Sequence, residues 1–135
     1  MQINISVDDG MPLYLQIVNQ VKYLVASGRL AEGEDMPPIR VLAEQILVNP
    51  NTVARAYREL EAAGIVAKRS TAGTYVSASG SALARRERFH VLCRHADALL
   101  VEARQIDVKL DEVIELIRER DSAMRTDKAE EQAIG

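Results

Sequence analysis

The sequence predicts a mainly α-helical chain with one small β-hairpin, an α+β fold, and three observations lead there. Two short amphipathic stretches are separated only by Leu47 and Val48. Directly after them come two runs rich in β-branched and aromatic residues, Ile65–Arg69 and Thr74–Ser77, around Ser70-Thr71-Ala72-Gly73. From Phe89 onward, apolar residues recur at alternating three- and four-residue steps, with no glycine or proline between Ser81 and Ile134.

The elements follow in chain order. Residues 1–11 are a polar lead containing Asp8 and Asp9, an ordered arm or at most a short strand. Pro12 starts the first helix, and Leu13, Ile17, Val21, Leu24 and Val25 give it a core-facing stripe. Gly28 closes it, because glycine tolerates the positive φ that ends helices. The second helix lies within Met36–Ile46, started by proline, with Leu42, Ala43 and Ile46 facing inward. In the third, the Asn49 side chain can cap free backbone N–H groups, and Pro50 occupies the first helical position, where a missing N–H costs nothing. Val53, Ala56, Tyr57 and Leu60 form its apolar stripe, and Gly64 ends it.

The opposite face of that third helix carries Asn51, Thr52, Arg55 and Arg58, short hydrogen-bonding groups and guanidinium forks suited to base edges and phosphates. A polar helix face alone is more often plain solvated surface. Its neighbours change that balance. Two short helices joined by so brief a turn form a helix-turn-helix, whose second helix enters the DNA major groove. A hairpin directly behind it is a wing. Residues 1–78 are therefore read as a winged helix-turn-helix DNA-binding domain, with a recognition helix at 50–63 and a wing at 65–77. So small a core would gain from a partner surface.

The tail is expected to supply that surface. Phe89, Leu92, Ala96, Leu99, Ala103, Ile106, Leu110, Val113 and Ile117 make a heptad seam flanked by charged residues, which signals helix-to-helix association and here a homodimer interface. The alternative is a helix folded back onto its own domain, but the seam is longer than so small a domain can cover. Residues 77–81, with Gly80, read as a linker, residues 79–125 as a C-terminal α-helical dimerisation segment, and residues 126–135 as a charged, frayed, disordered tail. Periodicity alone favours one continuous rod.

Composition bounds the function. The 135 residues, 47% of them hydrophobic, suit one small domain plus an appendage. A net charge of −3 is a weak argument against a nucleic-acid partner. The distribution answers it: between Ala54 and Ser70, Arg55, Arg58, Lys68 and Arg69 meet only Glu59 and Glu61, while acids gather at Asp8–Asp9, Glu32–Asp35 and the end of the chain. A focused patch favours sequence-specific contact over indiscriminate binding. An enzyme is not expected. His90 and His95 are five apart and share no helix face, Cys93 has no partner cysteine and reads as a small packed residue, and no glycine-rich phosphate loop is present. No metal or cofactor is expected, and the absence of a leader or a long apolar span predicts a soluble, cytoplasmic protein with no membrane partner.

The residues also stand in a familiar order. Pro12-Leu13-Tyr14-Leu15-Gln16-Ile17, Gly28-Arg29-Leu30, Gly33, Pro37 with Arg40, Leu42-Ala43, Val48-Asn49-Pro50-Asn51-Thr52-Val53, Arg55-Ala56-Tyr57, Leu60-Glu61, Gly64 and Gly73-Thr74-Tyr75-Val76 closely resemble the winged-helix domain of GntR-family transcription regulators. The tail, through Ala103-Arg104 and Asp111–Ile117, is similar to the YtrA subfamily, in which two helices mediate dimerisation without a large effector domain. That resemblance implies a break near Ile106–Lys109, where Asp107 replaces a common glycine, and hence two helices at 81–105 and 109–122. It further implies DNA contacts from Arg40, Asn51, Thr52 and Arg55, from the wing around Gly73, and from Asn49, a cap shared between helix and phosphate.

Three departures qualify the match. Pro38 stands where serine is usual, removing a hydroxyl able to cap or to bind phosphate. Thr71-Ala72-Gly73 keeps only the second glycine of the wing and no charged tip, so Lys68 and Arg69 are assigned to the DNA backbone and minor-groove reading is left open. Ala54 stands where many relatives place arginine, which points Arg55 toward phosphate instead of a base.

These readings converge on a DNA-binding transcription regulator, a repressor that holds a palindromic double-stranded operator as a homodimer. The rival is a winged-helix protein-interaction module recruiting a coiled-coil partner. The effector, if any, is unknown: a two-helix tail offers little concave volume, and a pocket between protomers lined by Phe89, Leu92 and Cys93 is not demanded by the spacing.

Overall fold

A computed structural model describes residues 1–69 and 73–134. The chain forms two compact units, Met1–His90 and Val91–Gly135. The fold is mainly α with one antiparallel hairpin: helices α1 (Leu13–Ala26), α2 (Ile39–Ile46) and α3 (Pro50–Ala62), strands β1 (Val66–Lys68) and β2 (Thr74–Val76), then α4 (Gly80–Gln105) and α5 (Leu110–Ile134). Thr71 and Ala72, the expected wing tip, lie outside the described residues.

In the first unit α1 is central. Ile17, Val21 and Val25 are fully buried on its inner stripe, beside Leu42 of α2 and Val53 and Leu60 of α3. Gln16 is buried among them, and its amide is fully engaged. Its Nε2 donates to the Ser6 and Met11 carbonyls at 2.7 and 2.9 Å, and its Oε1 accepts from the Ser6 N–H at 2.9 Å. These bonds hold the N-terminal arm, which turns through a short 3-10 helix at Val7–Asp9 and sends Ile3 into the core.

The turn between α2 and α3 places Leu47 in the left-handed region, at φ 57° and ψ 47°, with the Val48 N–H reaching back to the Ala43 carbonyl at 3.0 Å. α3 then starts as its sequence predicts. Asn49 Oδ1 accepts from the Asn51 N–H at 2.8 Å, Pro50 holds the first turn, and Val53, Ala56, Tyr57 and Leu60 are buried. In the hairpin, Val66 pairs with Val76, Ala67 with Tyr75 and Lys68 with Thr74. The loop before α2 lies along the other edge of β2: Gly33 and Met36 donate to the Val76 and Thr74 carbonyls, and the Val76 N–H donates to Glu34.

Residues 77–81, read from the sequence as a linker, are closely packed. Ser77 Oγ donates to the Gly64 carbonyl at 2.6 Å, Gly80 packs so closely that a Cβ would collide with the Ile65 carbonyl oxygen, and Ala84 is fully buried. The first compact unit extends to His90, inside α4. Lys22 of α1 pairs with Glu87 of α4 at 2.8 Å, and Arg88 lies over the Tyr23 ring at 4.8 Å.

In the second unit α4 and α5 are separate helices, so the heptad pattern does not form one rod. Asp107 adopts φ 60°, and the Val108 N–H closes onto the Ala103 carbonyl at 2.8 Å, an ending that an aspartate side chain tolerates. α5 runs to Ile134, past Thr126, where the charge predicts a frayed tail. The reason is local: Ala129, Glu130, Glu131, Gln132 and Ala133 are strong helix formers without a breaker until Gly135.

Candidate nucleic-acid interface

The polar residues singled out on α3 point away from the core. Asn51, Arg55 and Arg58 are exposed and Thr52 is half-buried, while the alternating Val53, Ala56, Tyr57 and Leu60 anchor the opposite face. The Asn49 cap fixes the first turn, because its side chain satisfies one of the N–H groups that a helix start leaves free. Arg40, at the start of α2, is exposed as well. Among the described residues, no carboxylate forms an ion pair with Arg40, Arg55 or Arg58. Their charge is free for a partner.

The wing cations are placed differently. Arg69 Nε donates to Asp35 at 3.1 Å, its guanidinium lies over Tyr75 at 4.5 Å, and Nη2 reaches the Gly33 carbonyl at 3.4 Å. This side chain braces the base of the wing against the loop before α2. Lys68 faces Glu61 at 3.8 Å with both groups exposed, a pairing worth little in water. Gly73 takes φ 87° and its carbonyl accepts from the Arg69 N–H at 3.1 Å, closing the described part of the turn.

Two features escaped the reading of the sequence. Tyr14 of α1 lies beneath Arg55, whose guanidinium carbon is 3.7 Å from the ring centroid. A cleft of about 410 Å³ opens there, lined by Leu13, Tyr14, Asn51, Thr52 and Arg55. The second is the Asp35 brace on Arg69. Both join segments far apart in the chain, and only the aromatic just inside the Pro12 helix start gave a local sign of the first.

Of the residues assigned to the seam, Ala103 and Val113 are buried and line an apolar notch of about 250 Å³ with Leu99, Ile106, Val108 and Leu116. Phe89, Leu92, Ile106, Leu110 and Ile117 are 52–74% exposed, Ala96 is exposed, and Val101, Leu116 and Met124 add to this apolar surface. Cys93 is exposed instead of packed, because α4 carries it among open positions. Among the described residues no group of acidic, histidine and cysteine side chains is arranged to hold a metal, and no helix is long and apolar enough to cross a membrane.

The family model for bacterial regulatory proteins, gntR family, matches residues 13–76. The HTH-type transcriptional repressor YtrA of Bacillus subtilis is 33% identical over 117 residues, 87% of this chain and 90% of that protein. The crystal structure of a transcriptional regulator from Oenococcus oeni is similar with a TM-score of 0.73 and 28% identity, over 85% of this chain and 95% of its own. AraR(DBD), solved in complex with operator ORX1, shares the fold at a TM-score of 0.52 and 18% identity, over 57% of this chain and 99% of its own. These relatives are regulators, not enzymes.

Proposed function

The chain belongs to the GntR family of bacterial transcription regulators, and from that premise we propose that it binds a palindromic DNA operator as a homodimer and represses transcription there. The observation that carries this reading is the outer face of α3. Its first turn is fixed by Asn49, its inner stripe is buried, and Asn51, Thr52, Arg55 and Arg58 are left to solvent with no competing carboxylate among the described residues. Such a surface is well suited to base edges and phosphates in a major groove.

Asn51 and Thr52 would read bases. Arg40, Arg55, Arg58 and Lys68 would hold phosphates, with Asn49 serving both its helix and the DNA backbone. Gly73 would let the wing approach closely. Arg69 contributes by holding the wing in shape through Asp35. Dimerisation is supported by the exposed apolar residues of α4 and α5, which a second copy would cover. A twofold dimer would present two recognition helices about 34 Å apart, one turn of the duplex. Repression follows from occupying a promoter, and YtrA of Bacillus subtilis is named a repressor. Acting on the chromosome places the protein in the cytoplasm.

The test is selection of duplexes from a random pool, followed by affinity titration across salt. An enriched inverted repeat bound by two chains is the result expected, with log affinity falling against log salt as about 6–10 phosphates are neutralised. No enrichment and no shift at low salt would refute the proposal. A monomer by sedimentation at working concentration would refute its dimeric part.

A further inference from the structure

Tyr14 lies outside the polar face of α3, yet it is the residue on which Arg55 rests. Among the described residues there are three arginine–tyrosine stacks, and this one is the tightest: 3.7 Å to the ring centroid, against 4.5 Å for Arg69 over Tyr75 and 4.8 Å for Arg88 over Tyr23. The other two guanidiniums also have carboxylates, Asp35 for Arg69 and Glu87 for Arg88. Arg55 has no ion pair among the described residues, so the ring of Tyr14 is what orders it. Both side chains line the cleft that also holds Asn51 and Thr52.

We infer that Tyr14 is a positioning residue for DNA recognition, holding the Arg55 guanidinium in place before the duplex arrives. The inference rests on the proposed DNA-binding function and extends the working surface from α3 onto α1. Its physical basis is twofold. An arginine side chain has many rotamers, and ordering it on binding weakens affinity unless the free protein has already done so. A stack on an aromatic ring also covers one guanidinium face and leaves the N–H edges free, which is the geometry a phosphate or a guanine edge requires.

The experiment measures affinity for the selected duplex, with thermal melting in parallel, for the wild type, Tyr14→Phe, Tyr14→Leu, Arg55→Ala and the Tyr14→Leu/Arg55→Ala double variant. Phenylalanine keeps the ring and should bind within about twofold of wild type, whereas leucine keeps bulk without the π face and should weaken binding about three- to tenfold. The double variant should bind no worse than Arg55→Ala, because the ring acts only through that arginine. Unchanged binding by Tyr14→Leu, an equal loss for Tyr14→Phe, or losses that multiply would each overturn the inference while DNA binding stands. A wild type that binds no duplex would overturn the DNA-binding reading and this inference with it. Arg55→Lys reads the same contact from the other side, keeping charge but giving up the planar stack. Wild-type affinity in that variant would overturn the inference even if Tyr14→Leu failed to fold.

Discussion

The phenol of Tyr57 donates a 2.6 Å hydrogen bond to the Pro37 carbonyl oxygen, fastening α3 to the segment that leads into α2. Burial pushes the ionisation of this phenol well above the ordinary tyrosine range, so in the folded chain it remains a donor into the alkaline range. Tyr57→Phe should destabilise the chain by about 1 kcal/mol, read as a lower urea midpoint. The pH dependence has a definite sign. A raised folded-state pKa leaves the contribution intact below the ordinary phenol value and loses it as pH rises beyond about 10, where the unfolded chain ionises first. The phenylalanine variant should lack that part of the alkaline loss.

Leu47 combines a left-handed backbone with 90% exposure. It gains nothing from burial and carries the steric cost of its Cβ, about 1–2 kcal/mol. Leu47→Gly should stabilise the protein by up to about 1 kcal/mol once the extra freedom of the unfolded glycine is subtracted. Thermal melting would check this, and a lower melting temperature would contradict it.

Gly80 should behave in the opposite way from an ordinary helical glycine. Alanine favours helices by about 1 kcal/mol over glycine, but at this position its Cβ would meet the Ile65 carbonyl oxygen, which belongs to the backbone and cannot swing aside. Gly80→Ala should therefore destabilise the protein by about 1–3 kcal/mol. Denaturant titration of the single variant decides the sign.

The Lys22–Glu87 pair ties α1 to the first turns of α4 at 2.8 Å. Partial burial pushes the Glu87 carboxyl up, but the hydrogen bond and charge of Lys22, with Arg88 adding to them, bring its pKa below the ordinary 4.5. A depressed folded-state pKa gives stability that is present above the ordinary value and lost as pH falls through the lowered one. Glu87→Gln should lower stability at neutral pH and flatten the acid side of the stability profile. Urea midpoints measured across acidic pH would show it.

How much of this was legible follows from the range of each interaction. The start of α3 could be read directly, since Asn49 and Pro50 act within one turn and the buried stripe repeats at fixed spacing. The break after Gln105 came from a likeness in the tail, because Asp107 by itself does not announce a left-handed residue. At 77–81 the sequence offers only a linker containing Gly80, and the proximity of Ile65 shows that this is a close-packing glycine. Contacts between distant segments stayed hidden for the same reason. Neither the Tyr14 platform nor the Asp35 brace nor the Gln16 anchor is encoded by spacing; each exists because folding brings distant segments together.

The stack of Arg55 on Tyr14 has an evolutionary corollary. The ring at 14 serves the arginine at 55 and not the reverse, so losing the arginine would remove the ring's task while losing the ring would leave the arginine its own. Across descendants of this gene, chains without arginine at 55 should be freer to vary at 14 than chains that keep it.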